Sequence, residues 1–160
     1  MKRILFVLFS IAALSFGCSN STQKSEADHS ASEASAHLAH DAYVQAINSN
    51  NLDSLLEMLT DDIVFMYPNE SPLVGKDEVK PWVEGYLEAF KTNWDKPVLE
   101  FVVNGDWAFE RYSYAATDSS LEDGSVYEET GWGLAIYHRD ADGKWRVARD
   151  AWGPDIPAEE

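Results

Sequence analysis

The chain has 160 residues and carries 28 Asp and Glu against 12 Lys and Arg, which gives a formal net charge of -16 at pH 7. So acidic a protein repels nucleic acid and anionic lipid surfaces, and neither is expected as a direct partner. The one cysteine rules out an internal disulfide.

Residues 1–17 have the order of a secretory signal. Lys2 and Arg3 precede an apolar run that ends in small residues at Gly17 and Cys18. The run is too short for a permanent membrane span, which needs about 20 apolar residues. These residues resemble the bacterial lipoprotein signal, which implies acylation of Cys18; an ordinary cleaved signal is the alternative. We expect an exported lipoprotein that faces the periplasm or the cell exterior and contacts the membrane only through its lipid anchor.

Residues 18–34 are predicted to form a flexible acidic tether. The stretch from Ser19 to Ala36 is rich in Ser, Ala, Glu, Asp and Gln and has no large apolar residue, so it cannot pack a core. The folded domain is predicted to span 35–155, a length that suits one domain. Residues 156–160 form a tail.

Three helices are predicted in the first half of the domain. Apolar residues at three-and-four spacing over 38–47 indicate the first. Asn51 can cap a second, short helix with a clear leucine stripe. The third contains the apolar residues over 79–90, and Pro81 favours a start near Val79 or Lys80 because proline is tolerated only in the first helical turn.

Strands account for the remainder. Residues 63–67 form a β-branched and aromatic run that is ended by Pro68. After Pro97 the apolar period becomes that of strands, with Asn104-Gly105 as a hairpin signal; the predicted strands are 97–103, 107–116, 126–138 and 144–152. Three helices followed by a four-strand antiparallel meander indicate an α+β fold whose sheet curls round the helices into a cone with a mouth.

Several short motifs occur in this order: Asn50-Asn51-Leu52-Asp53-Ser54, Pro72-Leu73-Val74-Gly75-Lys76, Gly105-Asp106-Trp107-Ala108, and Asp142-Gly143-Lys144-Trp145. Together they resemble the nuclear transport factor 2-like superfamily, in its SnoaL-like, ketosteroid-isomerase-like branch. The resemblance covers about 35–154. It implies a cone-shaped, curled antiparallel sheet packed on three N-terminal helices, an internal apolar pocket, and often a dimer. Trp107, Phe109 and the strand from Val126 offer apolar surface for such a homodimer.

The resemblance to ketosteroid isomerases is incomplete at their catalytic positions. Tyr43 matches the tyrosine that donates to the developing oxyanion. Tyr67 stands where that family has its aspartate base, and Leu134 falls near its second, protonated aspartate. Proton transfer next to a carbonyl therefore lacks both carboxyls.

The limonene-epoxide-hydrolase type of cone fits better at the polar positions. Tyr67 and Asn69 resemble its tyrosine and asparagine, Arg111 its strand arginine, and Asp150 its last-strand aspartate. The resemblance implies that Asp150 takes a proton from a water held by Tyr67 and Asn69. The remaining aspartate falls on Ser113, so the acid that ring opening needs is missing.

The resemblance to ketosteroid isomerases implies that Asp150 and Arg111 point into the cone. Strand alternation places it on the face of Ala148 and Trp152, opposite Trp145 and Val147. A buried carboxylate needs a partner, and Arg111 is the available cation. Their pair serves either structure or catalysis, and both alternatives stay open.

A ligand pocket is predicted from aromatic residues with a few polar groups, and the alternative is plain core packing; its members are Tyr43, Tyr67, Asn69, Trp132 and Trp152. His37 and His40 lie beside Asp41 but lack a third ligand, so surface histidines and no metal are expected. No cofactor is implied. Three functions remain open: binding of a small apolar molecule, a pocket enzyme with Asp150 as general base, and a non-catalytic structural or dimerisation module.

Overall fold

The computed structural model describes the backbone of residues 20–155 and the side chains from Ser30 onward. The predicted signal over 1–17, Cys18 and the tail over 156–160 lie outside the described residues. Within the described part, no helix is both long and apolar enough to cross a membrane.

Helix α1 spans Asn20–Asn48 and is longer than predicted. Most of the segment expected to be a flexible tether is therefore helical. Ala, Glu and Gln favour a helix, and no Gly or Pro interrupts the chain from Asn20 to Asn48. Among the side chains described, the first that is fully buried on this helix is Ala36.

The other two helices are α2, Leu52–Glu57, and α3, Lys76–Ala89. Asn51 caps α2 as predicted, and its side-chain oxygen accepts from Ser54 N at 2.9 Å. Helix α3 begins earlier than predicted, because the Gly75 carbonyl already accepts the first helical bonds from Glu78 N and Val79 N. Pro81 lies inside the helix.

Within residues 20–155, seven strands form one curled sheet with helices on its concave side; they are β1 Leu59–Met66, β2 Leu73–Val74, β3 Phe90–Asp95, β4 Val98–Asn104, β5 Trp107–Ser120, β6 Val126–Arg139 and β7 Trp145–Pro154. Their order is β2-β1-β7-β6-β5-β3, and β4 pairs with the first half of β5. Among these strands, only β1 and β7 pair in parallel. The α+β cone is confirmed, whereas β2 and β3 were not predicted.

A bulge in β7 changes which side chains face the interior. Ile136 on β6 pairs with Arg149 and Tyr137 pairs with Val147, so the register passes over Ala148. The extra residue turns both Val147 and Asp150 inward, with exposures of 1% and 3%. The expectation that these two residues occupy opposite faces is wrong, although the interior position of Asp150 is confirmed.

Candidate functional site

A cavity of about 610 Å³ opens between the concave face of the sheet and the helices. Aromatic rings form much of its wall, among them Phe65, Tyr67, Trp82, Tyr86 and Trp152. The ring centroids of Tyr67 and Trp82 are 5.3 Å apart, and those of Tyr67 and Trp152 are 5.8 Å apart. Such contacts hold the rings against one another and present flat apolar surfaces to the cavity.

The cavity has a closed end and an open end. Along β5 the inward side chains become more exposed in the order Tyr112, Tyr114, Ala116 and Asp118. Tyr112 is fully buried behind the closed end and does not itself line the cavity. Asp118 lies at the mouth of the cavity. It pairs with the exposed Tyr127 on the neighbouring strand β6.

Asp150 lies at the closed end with two tyrosines. The Tyr112 hydroxyl donates to Oδ1 at 2.7 Å and the Tyr43 hydroxyl donates to Oδ2 at 3.0 Å. Burial raises the pKa of Asp150 above its ordinary value, although the charge of Lys96 and both tyrosine hydrogen bonds oppose this shift. The carboxyl therefore holds a proton more readily than a surface aspartate does.

Lys96 is the cation beside Asp150. Its exposure is 3%, and its Nζ lies 3.6 Å from Asp150 Oδ2. The ammonium also lies 3.7 Å from the centroid of the Tyr112 ring and 4.6 Å from that of Tyr43. These are cation–π distances, which compensate part of the lost hydration of Lys96.

A second polar cluster lies behind the first and does not line the cavity. Glu110 is fully buried, accepts from the Tyr137 hydroxyl at 2.6 Å, and lies 2.9 Å from His40 Nδ1. Burial acts to raise the pKa of Glu110, but the partners His40, Lys96 and Tyr137 outweigh it and lower the pKa. His40, with an exposure of 8%, is not the surface histidine that was expected.

Two glycines on β6 make room for the tyrosines. Gly133 pairs with Tyr112 and Gly131 pairs with Tyr114 across the strands. A Cβ on Gly133 would lie 2.3 Å from the Tyr112 ring carbon that bears the hydroxyl. The missing side chain therefore lets the Tyr112 ring lie across β6 and reach Asp150 on β7.

Most of the predicted pocket residues lie together. Tyr43, Tyr67, Asn69, Trp152 and Asp150 all line the cavity. The sequence missed Lys96, which lines the cavity, and Tyr112, which donates to Asp150 from behind it. Tyr112 could have been recognised as an inward residue from its spacing along β5. Glu110, Tyr112 and Tyr114 are two residues apart, and inward side chains recur at every second position of a strand.

Trp132 and Arg111 do not belong to this site. Trp132 is 64% exposed, because Gly131 and Gly133 on either side of it face inward. Arg111 is also exposed, and its Nε lies 3.4 Å from Glu100 Oε2. Glu110 and Tyr112 take the inward positions beside it, so the predicted pair of Arg111 with Asp150 is wrong. Among the residues described, no three His, Cys, Asp or Glu side chains group as a metal site.

An open cone of curled sheet and helices that encloses an aromatic cavity with a polar end defines a pocket domain of the nuclear transport factor 2-like class. The model of the SnoaL-like domain family matches residues 40–148, and the chain belongs to this family.

Solved structures resemble the chain over most of its length. A ketosteroid isomerase-like protein from Erwinia carotovora atroseptica is 28% identical, with a TM-score of 0.71 over 78% of this chain and 97% of its own. A conserved protein from Planctomyces limnophilus is 25% identical, with a TM-score of 0.70 over 78% and 98%. A nuclear transport factor 2-like protein from Salmonella enterica, 13% identical with a TM-score of 0.71 over 82% and 96%, shares the fold. No curated protein matches the chain.

Proposed function

We propose that this chain is an exported, lipid-anchored SnoaL-like domain that binds a small apolar molecule in its internal cavity. The cavity of about 610 Å³ carries this proposal. Protein cores are close-packed and contain few voids larger than a water molecule, so ordinary packing does not account for an open volume of this size. Apolar walls with a few convergent polar groups are typical of small-molecule sites.

The charge of the cavity mouth favours a ligand without negative charge. Asp118, Glu128 and Glu129 line the cavity, and the Tyr114 hydroxyl donates to Glu129 at 2.6 Å. Lys96 is the one basic residue among those described that line the cavity. A cleft lined by one sign of charge repels ions of the same sign, so organic anions are disfavoured.

The proposed anchor is compatible with the start of α1. Cys18 comes two residues before Asn20, the first described residue of this helix. The helical rise of 1.5 Å per residue places Ala36, the first fully buried residue among the side chains described, about 24 Å from Asn20. We therefore propose that α1 acts as a helical spacer between the lipid and the cone, instead of a flexible tether.

A second copy is the proposed partner of the outer sheet face. Trp132, Leu134 and Phe109 are exposed there by 64%, 42% and 37%. Leu134 lies two residues from Ile136 on β6, and Ile136 pairs with Phe109, so this apolar surface runs along β6 and reaches β5 at Phe109, beside the exposed Arg111. Exposed apolar patches of this kind are typical of interfaces, which supports a homodimer.

Binding of the neutral dye N-phenyl-1-naphthylamine tests the pocket. We expect one saturable site per chain, seen as a rise in dye fluorescence. Leu87 lines the cavity, so Leu87→Trp should weaken the binding about tenfold or more by filling it. Leu38→Trp is the matched control, because Leu38 is 67% exposed on α1. Absence of saturable binding to the wild type would refute the proposal.

A pocket enzyme with Asp150 as general base is the second candidate. The observation that favours it is a buried carboxyl on the cavity whose pKa is raised towards the range useful for proton transfer. The epoxide-hydrolase-like version now lacks Arg111 in the cavity. Turnover of a small apolar epoxide or unsaturated ketone that is lost in Asp150→Asn would support an enzyme. Absence of turnover with both substrate types would leave binding alone.

A further inference from the structure

Lys96 has donors that the surrounding protein does not use. An ammonium group has three N–H donors and no acceptor. Lys96 lines the cavity, and its buried Nζ makes no hydrogen bond to any residue described. The 3.6 Å separation of Lys96 Nζ from Asp150 Oδ2 is longer than a hydrogen bond. The faces of the tyrosine rings compensate only part of the hydration that the ammonium has lost. A buried donor without an acceptor costs free energy, so a bound molecule that supplies an acceptor recovers that free energy.

Asp150 has unused acceptor capacity at the same end of the cavity. A carboxylate offers about four lone-pair positions. Each Asp150 oxygen accepts one tyrosine hydrogen bond, from Tyr112 on Oδ1 and from Tyr43 on Oδ2. The closed end therefore presents a free donor and a free acceptor within a few ångströms of one another.

We infer that the ligand of this cavity ends in a neutral hydroxyl group, which accepts a hydrogen bond from Lys96 Nζ and donates one to the Asp150 carboxylate. This inference rests on the proposed binding function and names the chemical class of the ligand: an alcohol with an apolar body. The body lies between the aromatic walls formed by Trp82, Tyr67 and Trp152.

Charge and hydrogen-bonding capacity disfavour the other head groups. A carboxylate ligand would meet Lys96 but would be repelled by Asp150 and by Glu110 behind it, whose charges interact with one another through the protein. An ammonium ligand would meet Asp150 but would be repelled by Lys96. A ketone or an ether accepts from Lys96 and leaves the free positions of Asp150 unused.

A series of probes of nearly equal shape separates these cases. 3-Phenylpropan-1-ol carries the hydroxyl, and in butylbenzene a methyl group replaces it. 3-Phenylpropylamine and 3-phenylpropanoate carry a positive and a negative charge. Dissociation constants would be measured by calorimetry, or by displacement of the dye, on the wild type, Lys96→Met and Lys91→Met. Lys91 is the matched control because it is exposed on β3.

We expect Lys96→Met to weaken binding of the alcohol about tenfold and to change binding of butylbenzene less than about twofold. Lys91→Met should change neither. Equal losses for the two probes would make Lys96 structural and overturn the inference. Tighter binding of the amine or of the propanoate than of the alcohol in the wild type would also overturn it, in favour of a charged ligand.

A crystal structure of the wild type with 3-phenylpropan-1-ol keeps the test decisive if Lys96→Met does not fold. The hydroxyl oxygen should lie within about 3.2 Å of Lys96 Nζ. An oxygen placed elsewhere overturns the inference. If butylbenzene binds and the alcohol binds without contacting Lys96, only this inference fails. If no uncharged probe binds, the proposed function fails as well.

Discussion

Replacing Gly133 by alanine tests how the fold positions the polar end of the cavity. A Cβ at this position would lie 2.3 Å from Tyr112 Cζ and Oη and 2.6 Å from the backbone oxygen of Ala151. Ordinary carbon contacts need about 3.5 Å or more, so the Tyr112 ring has to move by roughly 1 Å. A displacement of this size breaks the 2.7 Å hydrogen bond to Asp150.

The expected cost of Gly133→Ala has two parts. Overpacking of a core costs about 1–3 kcal/mol. A lost hydrogen bond to a buried charged group costs about 1.5–3 kcal/mol more. The free energy of unfolding should therefore fall by about 2.5–6 kcal/mol, a large share of the 5–15 kcal/mol that is typical of a domain.

Urea unfolding followed by tryptophan fluorescence measures this change. Gly85→Ala is the matched control, because Gly85 lies in α3 and its Cβ would meet no atom within 4 Å. It should raise the free energy of unfolding by about 0.5–1 kcal/mol, as expected for a helix interior. In a Tyr112→Ala background the cost of Gly133→Ala should shrink. A loss below about 1 kcal/mol in the wild-type background would refute the steric account.

Three further predictions concern pH, the anchor and the dimer. The pKa of Glu110 is lowered from 4.5, so its ionised form stabilises the fold above pH 4.5. This stabilisation is lost as the pH falls through the lowered pKa. Glu110→Gln should therefore reduce the loss of stability at acid pH that urea unfolding measures. Parallel curves for the two proteins would contradict it. Cys18→Ala should move the protein from the detergent phase to the soluble exported fraction, and a wild type already soluble and unacylated would show that the anchor is wrong. Leu134→Glu should convert a dimer into a monomer in sedimentation, whereas a wild type that is monomeric across micromolar concentrations would exclude the dimer.

The fold could be predicted from the sequence wherever one pattern dominated. The leucines of α2 and the alternating runs of β4, β5, β6 and β7 are long enough for their period to be unambiguous. Strand β3 was missed because it is short and mixed in polarity. Its Phe90 and Trp94 are four residues apart, which is also the spacing of a continuing helix. Lys96 follows this strand directly before Pro97, outside every strand that was predicted.

The errors at the site have another physical origin. Strand alternation tells which residues share a face but not which face is buried when both contain charges. Glu110 and Arg111 are neighbours on β5, and the family resemblance favoured Arg111 as the inward one. The bulge at Ala148 was missed because regular alternation was assumed through Val147 and Ala148, two adjacent apolar residues that are both buried. Asp150 was placed correctly because its position came from family resemblance and not from counting along the strand.

The two buried clusters act as one electrostatic unit, although only one of them reaches the cavity. The charge of Lys96 helps to lower the pKa of Glu110, and the charge of Glu110 in turn raises the pKa of Asp150. His40 and Tyr137 favour the ionised form of Glu110, which does not line the cavity. This buried carboxylate therefore helps to set how readily Asp150 holds a proton. The protonation of Asp150 depends in this way on residues of α1, β5 and β6 that lie behind the cavity wall.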